Sequence, residues 1–315
     1  MIKPIVVLGP TAVGKTGFAV NMAFKLKKDY GITAEIISAD SRQVYKYMDI
    51  GTGKDIEEYN FNGFEVPYHL IDIKDPGYRY NLFEFRRDFF EVYKDCIERD
   101  VLPILCGGTG LYIEAVIEDY DLTEVPVNKT LRENLELKRD DELKEILSSM
   151  KKLHNSSDTV HRKRCIRAIE IEEYKRYNKL PKRDYPKFDP TIVGISGERI
   201  NIRKRITARL VERLNNGMVE EAQKLLDMGL THEDLTYYGL EYKHLSEYIK
   251  GNASFNDMKQ RLNSDIHRFS KRQMTWFRRM ERNGFDIFWI NFEKSMKNKL
   301  KLVFDHLEKN SLNNN

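Results

Sequence analysis

The residues best placed to do chemistry begin at position 9. Gly9-Pro10-Thr11-Ala12-Val13-Gly14-Lys15-Thr16 matches the phosphate-loop pattern G-x-x-x-x-G-K-[ST]. Glycines let such a loop curl until its amides face a phosphate, and a helix beginning at its end adds partial positive charge. Lys15 adds a full charge and the Thr16 hydroxyl can ligate Mg²⁺. The expected diphosphate contacts are therefore Gly9, Thr11, Ala12, Val13, Gly14, Lys15 and Thr16. The loop specifies a polyphosphate; it does not specify which one or which bond breaks. Asp40 is the next candidate. It stands just past an apolar run, where an aspartate can act as a general base or can cap a helix. Arg205 and Arg209 are four residues apart and share a helix face, which could meet an anion or form a solvated basic surface.

These residues need particular elements to position them. The β-branched run Ile5 to Leu8 predicts a buried parallel strand that ends at the phosphate loop, with a helix from Lys15 to Lys28 after it. Ala34 to Ser38 predicts a second strand, which sets Asp40 at its carboxyl end. Leu70 to Ile73 and Leu102 to Cys106 predict two more. Between the last two, Leu82 to Glu98 has helical spacing with Phe85, Phe89, Val92 and Ile97 on one face. This alternation predicts an α/β core with a parallel sheet flanked by helices, of the phosphate-loop NTPase kind. From about residue 118 to 189 the chain is charged, helical and punctuated by proline, which predicts a small helical insertion. Thr191 to Ser196 returns to the sheet. Long helices follow over Asn201 to Met228 and Asp257 to Asn283, with a last strand over Phe285 to Ile290. The expected division is a core of 1–117 and 190–309, an insertion of 118–189, and a disordered tail of 310–315.

Composition narrows the setting. The net charge of +4, from 53 basic and 49 acidic residues, is too mild to identify a nucleic-acid binder, so the clustering of charge has to decide. Cys96, Cys106 and Cys165 are odd in number and far apart, which fits neither a disulfide framework nor a zinc site and suggests a reduced, cytoplasmic protein. No apolar run approaches the roughly 20 residues of a membrane span.

Several further segments extend the phosphate loop into an ordered set. They are Ile37-Ser38-Ala39-Asp40-Ser41-Arg42-Gln43-Val44-Tyr45, Asp49-Ile50-Gly51-Thr52-Gly53-Lys54, His69-Leu70-Ile71-Asp72 and Gly107-Gly108-Thr109-Gly110-Leu111-Tyr112. With Glu198-Arg199 and Trp276-Phe277-Arg278, the set resembles the tRNA dimethylallyltransferase (isopentenyl-tRNA transferase) family. The resemblance implies transfer of a dimethylallyl group from dimethylallyl diphosphate to N6 of the adenosine at tRNA position 37, next to the anticodon, with release of diphosphate. It implies a phosphate loop that holds a leaving group rather than one that cleaves ATP, with Mg²⁺ as cofactor. By resemblance, Asp40 faces the adenine amine, Asp40, Ser41, Arg42 and Gln43 surround the target base, Thr109 contacts tRNA, and Arg209 binds diphosphate. The insertion would grip the anticodon stem. A monomer is the expected state.

The chemistry is compatible with these residues. The adenine amine is a weak nucleophile, so a carboxylate that accepts its proton would help. Charge gathering on the leaving diphosphate calls for cations. Two basic segments could meet RNA phosphates: His161 to Arg167, with Lys163, Arg164 and Arg167, and His267 to Arg279, with Lys271, Arg272 and Gln273. In the second, Phe269 and Trp276 are seven residues apart on the other side and are expected in the core. Three places depart from the family pattern: Thr159-Val160 replaces a usual asparagine-aspartate pair, Glu241 a usual glycine, and Ile266-His267 a usual threonine-arginine. All three fall where tRNA would be handled. An ATP-dependent small-molecule kinase, an isopentenyltransferase acting on free adenine nucleotides, and an RNA-binding protein with a relic nucleotide site remain as alternatives.

Overall fold

The computed structural model describes residues 2–118, 120, 125–151, 159, 161–178 and 185–312. Six parallel strands form the main sheet, in the order β5 (Tyr68–His69), β2 (Ala34–Ser38), β6 (Leu102–Gly107), β1 (Ile5–Leu8), β7 (Thr191–Ser196), β8 (Ile287–Asn291). Strand β1 (Ile5–Leu8) is central and has no exposed side chain, because helices cover both faces of a parallel sheet. Helix α1 (Lys15–Tyr30) follows the phosphate loop and buries Phe18, Met22 and Leu26. Strand β2 (Ala34–Ser38) leads to Asp40. A small antiparallel hairpin, β3 (Asn60–Phe61) and β4 (Phe64–Glu65), precedes the short edge strand β5 (Tyr68–His69).

That edge strand is earlier and shorter than the expected Leu70 to Ile73. Leu70 and Asp72 both take left-handed backbone (φ 62 and 54), so the chain leaves the sheet there. Helix α2 (Leu82–Glu98) starts in a capping box of Asn81 and Glu84. Its buried face is Phe85, Phe89, Tyr93 and Cys96, while Ile97 is exposed, so the expected stripe was rotated at its far end. Strand β6 (Leu102–Gly107) and helix α3 (Gly110–Ile117) complete the first half.

The chain divides into two compact units: Met1–Asp119 with Pro186–Asn315, and Tyr120–Tyr185. In the second, α4 (Lys129–Glu136), α5 (Asp140–Met150) and α6 (Arg162–Tyr177) enclose a core of Leu135, Leu143, Leu147, Cys165, Ile166 and Ile169. Buried Glu170 ties that unit together by accepting from Arg132, Arg167 and the Asn128 amide.

The first unit resumes with β7 (Thr191–Ser196). The long helix expected over Asn201 to Met228 is two helices, α7 (Arg199–Asn215) and α8 (Met218–Asp227). Gly217 breaks them at φ 97, a value that glycine reaches without the cost a side chain would add. Then come α9 (His232–Tyr237), α10 (Leu240–Ile249), the long α11 (Phe255–Arg282), β8 (Ile287–Asn291) and α12 (Met296–Leu312). Residues 310–312 therefore extend the last helix instead of beginning a disordered tail, since each residue added to a formed helix gains a backbone bond. Residues 313–315 and Val160 lie outside the described residues. Among the described residues no helix is long and apolar enough to cross a membrane.

Candidate active site

Parallel strands place their carboxyl ends along one edge, and loops after β1, β2 and β6 meet there. The first is the phosphate loop. A side chain on Gly9 would put its Cβ 2.2 Å from the Ile195 carbonyl oxygen of β7, so only glycine lets the loop lie this close to the sheet. Lys15 turns back so that its Nζ donates to the Pro10 carbonyl at 2.8 Å, and burial pushes its ammonium down to about 8. Thr16 stands in the first turn of α1. It lines a polar cavity of about 100 Å³ with Lys15, Asp40, Glu58, Cys106 and Arg209. Burial, and then the neighbouring Asp55, raises the Glu58 carboxyl. The Thr16 hydroxyl and the carboxylates of Asp40 and Glu58 are hard oxygen donors in one small cavity, a donor set that fits Mg²⁺.

Asp40 starts no helix. Its Oδ1 accepts from the Arg42 amide at 2.9 Å in a local turn. Asp40 also lines a second cavity of about 560 Å³, so this one carboxylate borders both spaces. Thr109 braces the turn: its Oγ1 accepts from the Ser41 amide at 3.2 Å and its own amide donates to Ala39 O at 3.1 Å. Gln43, expected beside the base, is built into the smaller cavity instead. Its Oε1 accepts from Ser38 Oγ at 3.0 Å and its Nε2 donates to Gly53 O at 3.0 Å.

Helix α7 supplies the cations. Arg209 donates from Nη2 to Thr11 Oγ1, and Arg205 donates from Nε to Ala12 O at 2.8 Å. Burial, and then the charge of Arg213, lowers Arg209 to about 10. Arg213, which is not among the expected site residues, lines the larger cavity one turn further on. The signal was present as the spacing 205, 209, 213, three arginines on one helix face. The loop of residues 49–54 faces this helix and is fixed by Glu221 of α8. The Glu221 carboxylate accepts from the amides of Asp49, Ile50 and Gly51 at 2.8, 2.7 and 2.8 Å and from Tyr242 Oη at 2.7 Å. Buried Lys54 adds ion pairs to Asp49 and Asp72.

Helix α11 closes the site. Its core face is Met258, Leu262, Ile266, Ser270, Gln273, Phe277 and Met280. Phe269 and Trp276, expected in the core, line the 560 Å³ cavity together with Tyr237. Seven-residue spacing set them on a common face, but that face looks onto the cavity. The Arg279 guanidinium lies 4.0 Å from the Trp276 ring centre and donates to Glu114 at 2.5 Å. The Trp276 indole Nε1 is buried without a hydrogen-bond partner among the described residues. Gln273, expected to touch tRNA, is buried and clips two loops together: Oε1 accepts from the Thr11 amide and Nε2 donates to Gly108 O, both at 2.9 Å. Arg272 lines the cavity and Lys271 is exposed. Glu241, the residue in place of a glycine, also lines the cavity, and burial raises its carboxyl. In the other unit Lys163 and Arg164 are exposed. Arg167 is engaged with Glu170 and with Val125 O at 2.7 Å, which makes it a structural residue of that unit.

The sequence model of the family described as IPP transferase matches residues 43–280. The chain is 51% identical over 303 residues to tRNA dimethylallyltransferase 2 of Phocaeicola vulgatus, covering 96% of this chain and 97% of that protein. It is 53% identical to tRNA dimethylallyltransferase 1 of Parabacteroides distasonis, covering 91% and 92%. Among solved structures it is similar to the full-length tRNA isopentenylpyrophosphate transferase of Bacillus halodurans, with a TM-score of 0.69, 31% identity, and coverage of 99% and 98%. A eukaryotic dimethylallyltransferase acting on tRNA shares the fold at a TM-score of 0.75 and 20% identity, with coverage of 93% of this chain and 74% of that one.

Proposed function

The chain belongs to the IPP transferase family of tRNA dimethylallyltransferases, and from that premise we propose that it transfers the dimethylallyl group of dimethylallyl diphosphate to N6 of the adenosine at tRNA position 37. One observation carries this reading. Asp40 borders both the small polar cavity at the phosphate loop and the larger aromatic-walled one. A diphosphate in the first and an extruded adenine in the second would bring the allylic carbon and the amine together beside a carboxylate.

In this reading the N6 lone pair attacks C1 of the allyl group, and the C1–O bond breaks. Its electron pair goes to the diphosphate oxygen, and N6 gives up one proton to Asp40. Asp40 orients the amine and takes that proton. Lys15, the loop amides and Arg209 hold the leaving group in a small cavity lined by polar side chains, where fixed charges act strongly. Mg²⁺ held by the Thr16 hydroxyl beside Glu58 would neutralise part of the diphosphate charge. An adenosine must leave its stack to react, and Tyr237, Phe269 and Trp276 offer ring faces in exchange. Lys163, Arg164, Lys271 and Arg272 are the exposed or cavity-lining cations assigned to tRNA phosphates.

The test is a transfer assay with Mg²⁺, labelled dimethylallyl diphosphate and unmodified tRNA reading codons that begin with U, with AMP in parallel. Label in tRNA alone is expected. Label in AMP would assign the protein to nucleotide modification, and ATP consumption without label would assign it to phosphate transfer.

A further inference from the structure

We propose that Arg213 is a second diphosphate-binding arginine, held by Asp55 in the free protein and handed to the donor's outer phosphate on binding, a role that rests on diphosphate occupying the phosphate loop. Arg205, Arg209 and Arg213 form one stripe along α7. The first two already touch the loop, at Ala12 and Thr11. Arg213 extends the stripe into the larger cavity, and Arg209, which borders both cavities, stands between it and the phosphate loop; Gly53 and Asp55, the residues Arg213 meets, line the small cavity.

The position of Arg213 is built into the fold. Gly53 has φ 67, and a Cβ there would lie 2.0 Å from Arg213 Nη2, so the loop passes flat against the guanidinium. Glu221 and Lys54 fix that loop. The bonding of Arg213 is sparse by contrast. Its side chain is only 12% exposed, yet among the described residues its one hydrogen bond is to Asp55 Oδ2 at 3.2 Å. A guanidinium carries five N–H donors suited to planar oxyanions, so this bond leaves most of its capacity unused.

The charges around it favour exchange over a permanent bridge. Arg213 is the charge that most lowers Arg209, so the two guanidiniums oppose each other until an anion lies between them. A diphosphate spanning both reverses that repulsion. Asp55 is suited to let go: it has φ 42, makes no side-chain cap to the short helix that follows, and its carboxylate is 50% exposed. Glu241 of α10 lines the larger cavity with the same two arginines; burial raises its carboxyl and the two arginine charges oppose that rise.

Calorimetric titration of the intact protein with inorganic diphosphate and Mg²⁺ tests this, with thermal melts as a check on folding. Arg213→Gln should weaken diphosphate roughly tenfold to a hundredfold, the effect of losing charge-assisted bonds. Asp55→Asn should leave binding as tight or tighter, because the internal competitor is gone. Arg213→Lys, which keeps the charge but loses the fork, should fall between wild type and Gln and covers the case in which Gln does not fold. Two outcomes would overturn the role and leave the proposed function standing: Arg213→Gln binding within about twofold of wild type while Arg209→Gln is weakened, or Asp55→Asn losing as much affinity as Arg213→Gln. A wild-type protein that binds no diphosphate would overturn both.

Discussion

The two ends of the reaction cavity are prepared in opposite ways. At the phosphate end the cations are already engaged: Lys15 with Pro10 O, Arg205 with Ala12 O, Arg209 with Thr11 and Arg213 with Asp55. At the adenine end the Trp276 indole N–H has no hydrogen-bond partner among the described residues, and Phe269 is 38% exposed. The difference follows from what each end must receive. Clustered positive charge is costly without anions, so the fold lends it carbonyl, hydroxyl and carboxylate oxygens that a diphosphate can replace. Aromatic faces cost little to leave open and gain when a base covers them. Asp40 stands where the two ends meet, with Oδ1 used by the Arg42 amide.

The largest effect should come from breaking that junction. Asp40→Asn keeps an oxygen for the Arg42 amide but removes the proton acceptor. The expected loss in kcat is roughly 10²- to 10⁴-fold, with the affinity for tRNA unchanged. Transfer at near wild-type rate would refute the base assignment. A parallel loss of tRNA affinity would instead make Asp40 a brace for the turn.

The two ends were unequally legible in the sequence, and the comparison explains why. The phosphate end is local: Gly9 to Thr16 are consecutive, and the strand and helix on either side carry their own signals. The adenine end is assembled from α3, α7, α9, α10 and α11, which are spread along the chain. Periodicity set Phe269 and Trp276 on one face but could not say what that face meets. Arg213 needed even more. Its spacing puts it on the face of Arg205 and Arg209, but the loop packed against it is held by Glu221 of the next helix, which spacing does not reveal. The apolar type of Leu70 predicts a strand and says nothing of its left-handed backbone.

Effects at the two ends should separate kinetically. Arg209→Gln removes a charge facing the leaving group and should lower kcat/KM for the allylic diphosphate by roughly 10²- to 10³-fold, with little change in tRNA affinity. Trp276→Ala should do the converse on a smaller scale. Loss of a stacking face and of the Arg279 contact should raise KM for tRNA roughly tenfold and leave donor binding in place. Steady-state kinetics with each substrate varied in turn decides the matter. If Trp276→Ala raised the donor KM instead, the ring would belong to the allyl pocket and the division into two ends would fail.

The last effect concerns pH and tests whether the internal partners of the phosphate end are true placeholders. Burial lowers Lys15 to about 8 from its ordinary 10.5. In the free protein, then, folding disfavours its proton. Between about pH 8 and 10.5 the unfolded chain binds more protons than the folded one, so the Lys15 contribution to stability rises with pH. A bound diphosphate favours the ammonium and reverses the preference. Above pH 8 binding must take up a proton, and affinity should fall by up to about tenfold per pH unit. The two slopes therefore have opposite signs: the melting contribution of Lys15 improves with pH while diphosphate binding weakens. Calorimetry in buffers of different ionisation enthalpy would read the proton uptake directly, and Lys15→Met should abolish it. Affinity flat from pH 7 to 9.5 would mean that Lys15 keeps its proton in the free protein, with the Pro10 carbonyl serving as a full partner and not as a stand-in for phosphate.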